Sequence, residues 1–408
     1  MGLEGVFTDL FRPRGNHHQR VTTFELFFDL VYVLAVTQLS HLLLSHLSWH
    51  GTYRTLLLAF AVWWAWMYTA WVTNWLDPDK RPVRIALIAF MLFSLVMSAM
   101  IPQAFGDRGL AFAAAFVALQ VLRTAFMLLA SRHDRILRLN FKRILIWMLV
   151  SAVPWLLGGI AEGSTRDLIW TIAVLYDLCG PVSGYIVPGL GRSTTRDWAS
   201  ISGGHMAERC HLFLMLSLGE SILVTGATIS DLEIDLWTAA AFVVAFLGSV
   251  ALWWIYFDRS AEDSLEIIAE SDDPGRLARF AYVYLHFPIV CGVITAAVGD
   301  ELAIAYPTGE ASIELRLVTY GGAALYLLGH FLFKRMVWGV ISVQRLIAIG
   351  VLLAMIPMGA ALSPLANGVI AVLTLIGVAV ADSLSSIPAA ERRGTIRRDA
   401  VRAPEDAG

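Results

Sequence analysis

An all-α integral membrane bundle of about twelve transmembrane helices is the fold this 408-residue sequence predicts, and three observations carry it. The first is composition: 57% of residues are hydrophobic and 15% are charged, with a mean hydropathy of +0.66. No soluble domain hides so much apolar surface. The second is a series of apolar runs of spanning length, at about 24–44, 53–74, 83–101, 110–131, 143–161, 167–187, 205–228, 236–258, 278–299, 314–333, 338–360 and 364–384. The third is the placement of positive charge between them. Segments on one side hold twenty-three Lys and Arg; the other side holds Arg54, Arg108, Arg166 and Arg316, and Arg123, Arg209 and Arg345 fall within the spans. Cytoplasmic loops carry the Lys/Arg excess, so both termini are expected in the cytoplasm.

These runs divide the chain. Residues 1–23 form a basic cytoplasmic N-terminus, 24–187 a first six-helix half, 188–204 a cytoplasmic linker, 205–384 a second half, and 385–408 a basic tail. The tail, rich in Ala and Arg with two Pro, is expected to be solvated and disordered, with anionic-lipid contact as the alternative. The first run is preceded by polar and basic residues and lacks a small-residue cleavage site, so it reads as a retained signal anchor. Loops are too short for a soluble catalytic domain; the longest insertion, from Asp258 to Gly275, is acidic. The odd number of cysteines, Cys179, Cys210 and Cys291, argues against a disulfide framework. A net charge of −3 by itself implies no nucleic-acid partner.

The halves resemble each other. Arg84, Met91-Leu92-Phe93 and Gly106-Asp107 parallel Arg279, Leu285-His286-Phe287 and Gly299-Asp300; Pro154 parallels Pro357; Trp66-Met67-Tyr68 parallels Trp254-Ile255-Tyr256. Six spans per half is an even number, so the repeats would be parallel, related by an axis along the membrane normal.

The first run opens with two acids, Glu25 and Asp29, four residues apart and therefore about 40° apart on one helical face. A carboxylate deep in a bilayer helix costs about 2.5–3.5 kcal/mol, whereas each Leu, Ile, Phe or Val returns about 0.3–0.6. The acids must therefore find partners inside the bundle, where such residues mark solute or proton pathways. Gln38 faces away from Asp29 while Ser40 returns to its side, so this helix is polar on more than one face, as suits a central position. His41 lies near its outer end and reads as interfacial.

The second run carries the aromatic stripe Trp64, Tyr68, Trp71 and Trp75, explained by packing and interfacial anchoring. Arg123 in the fourth run and Asp177 in the sixth are two further buried charges that could pair as a structural lock. Gly180-Pro181 ends or hinges the sixth run.

The seventh run is the second polar helix. Arg209 and Glu220, eleven residues apart, face the same way about 16 Å apart along the axis. Arg209 needs an acid from another helix, and Glu25 or Asp29 is the candidate. A lock between the first and seventh helices and a titrating carboxylate on a transport path are both open, and compatible. Glu220 follows Gly219 and lies beside Ser217 and Ser221; it is the best proton-carrier candidate. His205, Glu208 and His211 are weak metal-ligand candidates, since their spacing spreads them over about 120° of arc. Capping and hydrogen bonding at the helix start suit them better, and Glu208 is also a structural ion-pair candidate. His286 and His330 read as packing residues.

These residues place the chain beside a known family. Glu25-Leu26-Phe27-Phe28-Asp29-Leu30-Val31-Tyr32-Val33 with Gln38 and Ser40-His41, then Thr73-Asn74-Trp75-Leu76-Asp77, then Ala207-Glu208-Arg209 through Leu218-Gly219-Glu220-Ser221, resemble the bacterial low temperature requirement protein A family. The resemblance implies a multi-pass protein of the bacterial cytoplasmic membrane, linked by name to growth in the cold, with no established molecular activity. The sequence departs from the family pattern at Cys210-His211, where a His-Gly pair is expected.

The function expected is secondary transport of an unidentified small solute or ion, coupled to protons, with Glu25, Asp29, Gln38, Arg209 and Glu220 on the path. The alternatives are a membrane-embedded enzyme on a lipid-type substrate, and a channel or cold-stress sensor without turnover. No nucleophile elbow, HExxH motif or phosphate-binding loop supports an enzyme, and no cofactor is implied.

Overall fold

The computed structural model describes residues 10–13, 20–198, 201–257 and 279–384. The acidic insertion at 258–278, the tail at 385–408 and most of the basic N-terminus lie outside the described residues. Within them the chain is all-helical, with two isolated bridge pairs, Phe11–Leu76 and Val187–Gly191, in place of strands.

The α-helices are α1 Thr23–Ser45, α2 Trp49–Trp75, α3 Arg81–Met100, α4 Gly109–Ala130, α5 Arg135–Ile160, α6 Gly163–Ser183, α7 Gly203–Ser230, α8 Leu236–Phe257, α9 His286–Ala305, α10 Ile313–Trp338, α11 Val343–Met358 and α12 Pro364–Leu384. Ten of them are long and apolar enough to cross a membrane; α6 and α10 fall short on composition, carrying Arg166, Asp167 and Asp177, and Arg316, Lys334 and Arg335. Local chemistry sets the ends. Thr22 and Glu25 form a capping box on α1, Ser48 caps α2, Asp134 caps α5 through the Ile136 and Leu137 N–H groups, and Ser202 caps α7. The caps explain why α2 and α5 begin ahead of their apolar runs: a capped polar first turn continues the helix outside the hydrocarbon. A π-helical turn, Arg279–Tyr284, precedes α9. Gly180-Pro181 proves to be a helix end: Gly184 adopts φ 67° and the Tyr185 N–H returns to Gly180 O, closing α6 in a Schellman-type cap.

The core sits on α2, which is almost wholly buried, with α1, α7 and α9 around it. The tryptophans of α2 from Trp63 to Trp75 face the protein rather than the lipid boundary, whereas Trp49 at its start is exposed: Trp64 and Trp66 are fully buried, and the Trp63 indole donates to Val283 O at 2.7 Å. For the stripe the expected packing holds and the expected interfacial anchoring is corrected, because this stretch of the helix is enclosed by others. Helices α4–α6 pack on one flank and α8 with α10–α12 on the other.

The tightest helix pair is α9–α10, and glycine makes it possible. A Cβ on Gly292 would lie 2.5 Å from the Tyr326 backbone N, and one on Gly322 would lie 2.6 Å from the Ala296 backbone N. Small residues let membrane helices approach this closely. Gly292→Ala or Gly322→Ala should therefore force the helices apart, with a loss of about 1–3 kcal/mol, whereas Gly377→Ala, which meets nothing within 4 Å, should be silent. Unfolding in mixed detergent micelles checks both.

Candidate functional site

The polar residues of α1 and α7 meet in two layers near the α1 N-terminus. In the first, Glu25 is fully buried and accepts from the Arg12 guanidinium at 2.7 Å, from the Thr22 N–H at 2.9 Å, and pairs with His205 Nε2 at 2.9 Å. Arg12 itself is held by Thr73 O and Leu76 O, so the segment ahead of α1 folds back over the end of α2. Asn74 fixes the histidine. Its amide oxygen accepts from the Ser202 N–H, and its nitrogen donates to Ser202 O at 2.8 Å and reaches His205 Nδ1 at 3.3 Å. With Nδ1 facing an amide donor, the ring proton is assigned to Nε2, pointing at Glu25.

One turn deeper, Asp29 Oδ1 accepts from Arg209 at 2.8 Å and from the Trp66 indole N–H at 2.7 Å. Both charged side chains are fully buried, and the guanidinium also lies 5.7 Å from the Trp66 ring. Asp29 Oδ2 and Arg209 Nε and Nη1 have no hydrogen-bond partner among the described residues. This pair is an intramembrane ion pair with spare hydrogen-bonding capacity. Trp66→Phe removes one of the two donors to Asp29 and should lower stability by about 1–3 kcal/mol without unfolding the protein, because Arg209 still neutralises the acid; mixed-micelle unfolding reads the change.

Above Arg209 the space between α1, α2 and α7 is filled by rings. Phe213 lies 4.3 Å from Trp66, 5.5 Å from Trp63 and 6.3 Å from Tyr32, centroid to centroid. Buried Leu214 and Leu218 continue the plug.

Beyond it lies a second set of ionisable groups. Glu220 of α7 is buried and faced by Thr37 and His41 of α1, and His41 also faces Glu301 of α9. Glu301 Oε2 is buried with no hydrogen-bond partner among the described residues. Glu25 and His41 are sixteen residues apart, so the two sets are separated by about 24 Å along α1, most of a bilayer core.

The predicted residues fare unevenly. Asp29, rather than Glu25, takes Arg209. Gln38 is half-buried on α1. Arg123 and Asp177 do not pair, contrary to expectation: Arg123 donates to Ala65 O at 2.9 Å and to Gln120 Oε1, while Asp177 accepts from the Trp155 indole at 2.9 Å. Each sits against its own neighbouring helix, which supplies neutral partners first. His205, Glu208 and His211 diverge: His205 turns to Glu25, Glu208 accepts from the Val21 N–H, and His211 packs edge-on to Tyr256. No His/Cys/Asp/Glu cluster suited to a metal occurs among the described residues. Sequence reasoning missed Arg12, Asn74 and Glu301 as members of these sets. Asn74 lay in a quoted family block and Glu301 beside Gly299-Asp300, but nothing in the spacing joined them to α1.

Comparison with known proteins covers both polar helices. The profile of a family described as bacterial low temperature requirement A protein matches residues 20–380. An uncharacterized protein of Rhizobium meliloti (strain 1021) is 36% identical over 349 residues, 85% of this chain and 85% of that protein. No solved structure matches.

Proposed function

The chain belongs to the bacterial low temperature requirement A family, and from that premise we propose that it is a proton-coupled secondary transporter of a small solute in the bacterial cytoplasmic membrane. The observation that carries this reading is the pair of ionisable sets on α1 and α7, one at each end and separated by the Phe213 plug. A carrier must offer its site to one side at a time, and an apolar barrier between two sets of titratable groups meets that need.

The helix arrangement supports the same reading. Counting α6 and α10 as spans gives twelve, and the Lys/Arg distribution then puts both termini in the cytoplasm. The packing partners of the two halves run in parallel: α1–α3, α3–α4, α4–α5, α5–α6 and α1–α2 match α7–α9, α9–α10, α10–α11, α11–α12 and α7–α8. Proline lies inside α5 at Pro154 and inside α11 at Pro357. A six-plus-six repeat puts α1 and α7 in equivalent places, where a site shared by two halves belongs.

The test is purified protein in liposomes, with internal pH and current recorded while ions and small solutes are presented in turn. Wild type runs beside Asp29→Asn and Glu220→Gln. A solute-dependent proton flux that disappears in Glu220→Gln, or in Asp29→Asn shown to be folded and inserted, bears the reading out. No flux across a broad panel, from protein that is folded and correctly inserted, would sink it in favour of a sensor, a channel or a lipid-active enzyme.

A further inference from the structure

Arg123 of α4 is a fully buried cation whose partners are all neutral. It donates to Ala65 O at 2.9 Å, Thr69 Oγ1 at 3.3 Å and Gln120 Oε1, and its Nε has no hydrogen-bond partner among the described residues. No carboxylate of the described residues stands within ion-pair reach. Buried charges are ordinarily paired, so a guanidinium held by carbonyl and hydroxyl oxygens and by the Tyr68 ring face, 5.1 Å away, still lacks a counter-charge.

The same side chain forms part of the wall of an internal cavity between α2, α4, α5 and α6, together with Tyr68, Trp71, Trp75, Tyr185 and Trp198. The cavity measures about 30 Å³, more than the ~10–15 Å³ one water needs and too little for an organic molecule. The Tyr68 and Tyr185 hydroxyls meet at its wall and bond each other, and the rest of the lining is largely aromatic. Tyr185 reaches the cavity from an uncommon backbone conformation, φ 50°, and is the one non-glycine residue with positive φ among those described. Strain of that kind collects at ligand sites.

We propose that this cavity binds a small monovalent inorganic anion of halide size, with Arg123 as its counter-charge and the Tyr68–Tyr185 hydroxyl pair beside it. In a cell the chemistry fits chloride. The site lies apart from the α1–α7 groups and does not depend on the transport reading.

The test is equilibrium dialysis of isotope-labelled chloride against the full-length protein, purified in detergent with gluconate as the only other anion. The expected result is saturable uptake of one chloride per chain, displaced by bromide and nitrate but not by sulfate. Affinity should fall about tenfold or more in Arg123→Gln, where the charge-assisted contact is lost. If that variant does not fold, Tyr185→Phe keeps ring and charge and is expected to bind severalfold more weakly. Absence of saturable uptake by folded wild type overturns the site. So does displacement by sulfate as readily as by bromide, or wild-type affinity in whichever variant folds.

Discussion

Arg209→Met is expected to destabilise the protein by about 3–5 kcal/mol, the largest single loss open to this chain. The reason is what it leaves behind. Asp29 is fully buried, its Oδ2 has no hydrogen-bond partner among the described residues, and apart from Arg209 its donor is the neutral Trp66 indole. Removing the guanidinium strands a carboxylate in the protein interior. Asp29→Asn should cost a comparable amount by stranding Arg209, whose Nε and Nη1 are already unmatched. The double variant Asp29→Asn/Arg209→Met removes both charges together, and replacing a buried pair by neutral groups is often nearly neutral. It should regain most of either single loss, giving a coupling energy larger than either single loss in the double-mutant cycle. The measurement is the folded fraction against detergent denaturant for all four proteins. A double variant as unstable as the sum of the singles would show that the pair does not lock α1 to α7.

That lock was half legible in the sequence. Two acids four residues apart at the start of one apolar run, and an arginine near the start of another, required partners whatever the fold, because charges inside a membrane bundle cannot stay unmatched. Which acid takes the arginine was not legible. Glu25 and Asp29 are about 40° apart on a helix, and the choice depends on Arg12 and His205 reaching Glu25 first. Arg12 does so because its segment returns over α2, held by the Arg12 N–H to Trp75 O and the Asp77 N–H to Leu10 O. No periodicity records such a return. The same limit explains Arg123 and Asp177. Opposite charges in the fourth and sixth runs suggested a pair, but distance across helices is set by packing, and each met neutral partners closer by. Helix positions were the easier part, since hydropathy and length act locally; the caps at Ser48 and Asp134 then moved the ends.

Glu220→Gln and Glu301→Gln separate a proton carrier from a structural acid. Glutamine copies the shape of a protonated glutamate but cannot release the proton. For the transporter proposed here, a variant at the carrier should therefore still exchange labelled solute across the membrane while losing accumulation driven by a pH gradient. The size of the loss follows from linkage. One pH unit is worth 1.36 kcal/mol per proton, so one proton per solute drives at most about tenfold accumulation for each unit of gradient. Wild type should approach that ratio and Glu220→Gln should fall to equality, with exchange retained. Glu220 is favoured as the carrier because it is buried on α7 and is faced by both Thr37 and His41, whereas Glu301 is half-buried and shares only His41. Glu301→Gln should accordingly reduce the ratio without abolishing it. Both substitutions keep the side-chain volume and leave no charge stranded, so the variants should fold like wild type in the micelle assay. If Glu220→Gln accumulates solute as wild type does while Glu301→Gln does not, the carrier is on α9 and the role assigned to α7 is wrong. If neither variant changes the ratio, the outer set of acids takes no part in coupling.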